Sequence, residues 1–108
     1  MNLSIYKLCF YVPLADCEVV KQAVFAAGAG VIGEYDYCAW QTAGRGQFRP
    51  SAAANPTIGK AEQLETVEEY KVEMICREDC LEQAIEALRQ AHPYEEPAFE
   101  SWKLDYPC

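Results

Sequence analysis

The chain has one histidine, His92, in 108 residues, and only three serines, Ser4, Ser51 and Ser101. Both scarcities limit catalysis. No G-x-S-x-G occurs, and a cysteine–histidine dyad would have to use His92, with nothing in the sequence to place a thiol beside it. Basic residues are scarce as well. Nine Lys and Arg against seventeen Asp and Glu give a net charge of −8 and a pI near 4.5, which excludes wholesale neutralisation of a nucleic-acid backbone. No apolar run approaches the ~20 residues of a membrane span. The first dozen residues have neither the basic start nor the small-residue cleavage site of a secretory leader, so the chain reads as cytoplasmic. Its six cysteines contain no C-x-x-C; the nearest pair, Cys76 and Cys80, is separated by three residues. Free thiols, most of them small buried hydrophobes, are the expectation, with Cys108 at the terminus.

A further absence is local. From Tyr37 to Ala61 there is no acid, while Arg45, Arg49 and Lys60 make the stretch +3 in a chain whose remainder carries −11. All six glycines, at 28, 30, 33, 44, 46 and 59, fall between Gly28 and Gly59. Two readings stand side by side. One is an anion site or flexible binding loop, in which glycine lets the backbone come close to a ligand. The other is a bulged β-hairpin that needs glycine only for its geometry. Gly28-x-Gly30-x-x-Gly33 has the dinucleotide-binding spacing, but it follows a helix rather than a strand and is set aside.

Periodicity supplies the elements. Leu3–Val12 reads as a strand apolar on both faces, with Ile5, Cys9 and Tyr11 on one and Leu8, Phe10 and Val12 on the other. Asp16 offers a cap to an amphipathic helix that Gly28 or Gly30 would stop. Tyr35–Thr42 reads as a second strand, Gly44-Arg45-Gly46 as a turn, Gln47–Arg49 as a return leg and Ser51–Gly59 as a loop. Glu65–Arg77 alternates as a third strand with a register break near Glu69. Asp79 would cap a second helix, ended by His92-Pro93, and Ala98–Asp105 reads as a last strand. A chain of this length is one domain, residues 1–108. The order predicts an α+β, ferredoxin-like βαββαβ sandwich with both helices on one face and a glycine-rich hairpin or loop between its halves. A first strand that is apolar on its uncovered face predicts a homo-oligomer.

His92-Pro-Tyr-Glu-Glu-Pro97 is the densest group of chemically capable residues. His92 with Glu95 or Glu96 would be metal ligands on one reading. On the other, His92 closes the helix and the two prolines stiffen the link to the last strand.

Two segments together, Gly30-Val-Ile-Gly-Glu-Tyr-Asp-Tyr-Cys38 running on through Gly44-Arg-Gly-Gln-Phe-Arg-Pro50 to Asn55-Pro-Thr-Ile-Gly59, and His92-Pro-Tyr-Glu-Glu-Pro97, resemble the domain inserted in Nif-three-like (YqfO-type) proteins. That domain is related in fold to PII and CutA proteins, and the resemblance covers essentially the whole chain. It implies a trimer-forming, non-enzymatic module that binds a small effector or acts in regulation, because the catalytic metal lobes of the larger family are absent. By position, Gly44, Arg45, Gly46, Arg49 and Gly59 would form a loop that holds a small anionic effector. A CutA-like divalent metal site at His92, Glu95 and Glu96 is the alternative, and a structural trimer that docks to a protein partner is a third.

Overall fold

The structure, a computed structural model, describes residues 3–105. Cys108 lies outside the described residues. Four strands, β1 (Ile5–Pro13), β2 (Trp40–Phe48), β3 (Glu65–Arg77) and β4 (Phe99–Lys103), and two helices, α1 (Cys17–Ala26) and α2 (Glu78–Ala91), follow one another as β1-α1-β2-β3-α2-β4. The sheet order is β2-β3-β1-β4, and every neighbouring pair is antiparallel. The ferredoxin-like arrangement predicted from the order of elements is therefore the fold.

Alternation in β1 and β3 builds the core. The register pairs Leu8 with Met74 and Phe10 with Val72, so these side chains share the helix-covered face and are buried. Cys17, Val20 and Val24 of α1, and Ala84 and Leu88 of α2, recur at three- and four-residue spacing and close over them. Gly28 leaves α1 at φ +111, where a side chain would be strained. Gly30 is required more tightly. Its N–H donates to the Ile75 carbonyl at 2.8 Å, and a Cβ there would stand 2.6 Å from the Phe25 ring.

Five expectations change. β2 begins only at Trp40; Tyr35 makes an isolated bridge to Ile32, and Tyr37, at φ 54, interrupts the extended backbone before it. Gly44-Arg45-Gly46 is mid-strand rather than a turn, and pairing runs unbroken from Trp40–Glu73 to Phe48–Glu65. The same continuity removes the register break at Glu69: Val67 lies on the open face, and Tyr70 joins Val72, Met74 and Cys76 on the other. Neither Asp16 nor Asp79 caps a helix through its side chain. Asp79 lies inside the first turn of α2 and accepts from Arg77 Nη2 at 2.8 Å. Finally, the last strand is the shorter Phe99–Lys103.

The open face of the sheet is more polar than β1 alone suggested. Cys9 is fully buried on it, but its cross-strand neighbours are Glu73 and Glu100, and Lys7 and Lys71 lie nearby. Exposed indoles, Trp40 on β2 and Trp102 on β4, flank this charged strip. Beyond β1, residues 65–68 of β3 pair with β2 alone. This two-stranded extension, about 13 Å at the usual rise per residue, makes one end of the domain a projecting hairpin.

Candidate functional site: a cleft where two distant segments meet

The chain between β2 and β3, residues 49–64, folds back beside the sheet rather than extending the hairpin. Short bonds shape it: the Glu62 N–H donates to the Pro50 carbonyl at 2.6 Å, and the Ala54 N–H to Ser51 at 3.2 Å. Two further bonds tie it to the link between α2 and β4. The Thr57 hydroxyl donates to the Pro93 carbonyl at 2.6 Å, and the Asn55 N–H donates to the Glu95 carboxylate at 3.1 and 3.4 Å. The two sequence segments singled out above are thus joined in space.

His92 secures the other side of this link. Its N–H donates to Leu88 and ends α2, and Pro93 holds its ψ at 138°, in the extended region. The ring is buried. Its Nε2 lies 2.6 Å from the Tyr11 carbonyl and its Nδ1 accepts the Tyr94 N–H at 3.1 Å. A carbonyl can only accept and an amide N–H can only donate, so the ring is the neutral tautomer with its proton on Nε2. Tyr94 is placed in turn: its hydroxyl donates to Glu69 Oε2 at 2.9 Å, and its ring lies 6.1 Å from that of Phe48 at a tilt of 54°. Burial, and then the Glu69 carboxylate, push the Tyr94 phenol well above its ordinary pKa.

Between these pieces lies a cleft of about 650 Å³. Phe48, Tyr94 and Tyr11 are its aromatic surfaces, Pro50, Pro56 and Ile58 its apolar wall, and Glu69, Glu95, Glu96 and Arg49 its charges. A second, smaller depression of about 440 Å³ lies on the open sheet face among Thr42, Gly44, Arg45, Lys71 and Glu73. Tyr11, Gly46 and Glu69 line both. At the boundary, the Tyr11 hydroxyl donates to Glu100 at 2.8 Å, which raises the phenol's pKa.

The anticipated site residues are redistributed. Arg49 lies at the cleft, but Arg45 lines the sheet depression, in register with Glu68, so the two do not converge on one ligand. Gly44 is exposed strand. Gly46 leaves room for Glu69, whose carboxylate occupies the space a side chain would take, and this is a strand glycine permitting close approach rather than a turn. Gly59, at φ +91, packs against Glu65 away from the cleft. Glu95 and Glu96 reach the cleft, while His92 sits behind it with both ring nitrogens occupied. A metal at His92 would have to displace one of those bonds. Among the described residues no group of three or more His, Cys, Asp or Glu is arranged to hold a metal ion. The sequence reading missed Phe48, Glu69 and Tyr11. The one signal was for Phe48, which lies inside the Gly44–Pro50 segment singled out in the sequence.

Five described cysteines are free: Cys9, Cys17, Cys38, Cys76 and Cys80. Cys9, Cys17 and Cys76 are buried, which raises the pKa of Cys9 and Cys17 and pushes Cys76 up to about 11, away from the reactive thiolate. No helix among the described residues is long and apolar enough to cross a membrane.

No protein-family model matches the chain. It is 44% identical over 101 residues to a protein of Halalkalibacterium halodurans named "GTP cyclohydrolase 1 type 2 homolog", covering 94% of this chain and 27% of that one. A Mycobacterium tuberculosis protein of the same name is 45% identical over 98 residues, covering 91% and 26%. The chain thus spans about a quarter of the length of the curated relatives it matches. Among solved structures, a Bacillus cereus protein related to NIF3 superposes with a TM-score of 0.83 at 34% identity, over 98% of this chain and 27% of that one. CutA from Xylella fastidiosa gives 0.71 at 17% identity, over 97% and 88%, which is a likeness of fold. Over nearly its whole length the chain is thus similar to one part of proteins related to NIF3, and it has the PII/CutA-like, ferredoxin-like fold.

Proposed function

We propose that the chain is a non-enzymatic small-ligand-binding or regulatory module that works as an oligomer, with the cleft as its ligand site. One observation carries this reading. The loop of residues 49–64 is held by side-chain bonds against the His92–Pro97 link, over an aromatic surface, at a volume typical of small-molecule sites, ~300–1,000 Å³. The relatives named "GTP cyclohydrolase 1 type 2 homolog" are about four times as long as the chain, and no cyclohydrolase activity is part of this proposal.

The test is a fragment screen read by amide chemical shifts. Binders should move Phe48, Tyr94 and the loop amides, and Phe48→Ala should remove them; binders that map only elsewhere refute the site. Oligomerisation through the open face is supported by the exposed Trp40 and Trp102 on either side of buried Cys9. A trimer, the stoichiometry favoured here, has three times the 12.1 kDa chain mass in sedimentation equilibrium. A monomer at micromolar concentration refutes it. A cytoplasmic location is part of the same proposal.

A further inference from the structure

We infer that the cleft takes a small organic cation on an aromatic or aliphatic body, the opposite charge to the one the basic sequence stretch suggests. This inference rests on reading the cleft as a ligand site. Three carboxylates, Glu69, Glu95 and Glu96, face the cleft against one guanidinium, Arg49. Glu69 accepts a phenol O–H and Glu95 an amide N–H, and neither donor is a cation, so both negative charges remain. The two ion pairs among the described residues, Lys21–Glu18 and Arg77–Asp79, involve no cleft residue. The local basic excess is dispersed by the fold. Arg45 goes to the other depression and Lys60 is not in the cleft lining, while carboxylates from β3 and the α2–β4 link enter it.

The surface beneath is suited to the same charge. A cation is attracted to the face of an aromatic ring within about 6 Å of its centroid. Phe48 and Tyr94, 6.1 Å apart and tilted, offer two rings to one ligand, with Tyr11 beside them. Pro50, Pro56 and Ile58 would enclose the apolar body. The whole-chain charge of −8 adds long-range attraction for cations.

Arg49 separates this inference from the anion reading. In an anion site it would be the anchor; in a cation site it is a like charge at the rim. The experiment titrates the intact protein with benzyltrimethylammonium, its neutral isostere neopentylbenzene and the anion phenylmethanesulfonate, read by amide shifts and calorimetry. The cation should bind about fivefold or more tighter than the isostere, with the sulfonate weakest. Glu96→Gln should weaken the cation about two- to fivefold, and Arg49→Gln should strengthen it by a similar factor. Neither change should alter the isostere. Equal binding of cation and isostere overturns the inference, as does a sulfonate that binds best and is lost in Arg49→Gln; in both cases the cleft stands as a site. If none of the three probes moves a cleft amide, the ligand-site reading itself fails.

Discussion

The helix-backed half of the sheet and the hairpin end are held together by different physics. In the first, Leu8, Phe10, Val72, Met74, Val20, Val24 and Leu88 exclude water from one continuous core, and no single polar bond decides the structure. In the second, a loop without regular structure is held to the α2–β4 link by Asn55 and Thr57, and that link is anchored in turn to β1 by His92 and to β3 by Tyr94, each through one or two hydrogen bonds between segments distant in sequence. Burial of apolar area is non-directional and tolerates adjustment. A hydrogen bond fixes a distance and an angle but contributes only about 0.5–1.5 kcal/mol net. The core should therefore set global stability and the bonds the shape of the cleft.

The largest expected effect tests the first half of that contrast. Leu88→Ala should cost about 2–5 kcal/mol in denaturant unfolding, through lost burial and the cavity left behind. Cleft amides should keep their native shifts at low temperature. A smaller effect is expected from His92→Ala, which removes the partner of the part-buried Tyr11 carbonyl and of the Tyr94 N–H and should cost about 1–3 kcal/mol. Its signature is local: amide exchange at Asn55 and Thr57 should speed up more than in β1. Uniform loss of protection would place His92 with the core and erase the distinction.

Gly46→Ala sharpens the comparison at the border between the two regions. The new methyl enters the space of the Glu69 carboxylate and disturbs its bond to Tyr94, at an expected cost of about 1 kcal/mol. In a Glu69→Ala background the same change should cost less, and the difference is a coupling measurable by a double-mutant cycle. Additive costs would mean that the effect of the methyl does not pass through Glu69.

The same contrast explains what could be read in the sequence. Periods of two and three to four residues are local, so β1, β3, both helices and the antiparallel βαββαβ order were legible in the sequence. β2 was not, because its middle is Thr42-Ala43-Gly44-Arg45-Gly46, with glycines that suggest a turn where the partner strand supplies the side chains instead. The two motifs at the cleft stood out as segments, but their junction depends on Thr57 meeting Pro93 across 36 residues, which no pattern within either segment encodes. Charge misled for the same reason. A run free of acids in sequence acquires its acids in space, from Glu69, Glu95 and Glu96.

The finest test of the comparison is Thr57→Val. Valine keeps nearly the same shape and removes only the hydroxyl that donates to Pro93 at 2.6 Å. Residue 57 is exposed, so water can replace the lost bond, and the global cost should be at most about 0.5–1.5 kcal/mol. If the loop is held by its individual bonds, the change should show where that bond was: amides 54–58 should exchange faster and any cleft ligand should bind more weakly, with core amides unchanged. If instead Pro50, Pro56 and Ile58 hold the loop by burial, neither readout should move. The cleft would then be an extension of the core, and its shape would be far less open to control by a ligand.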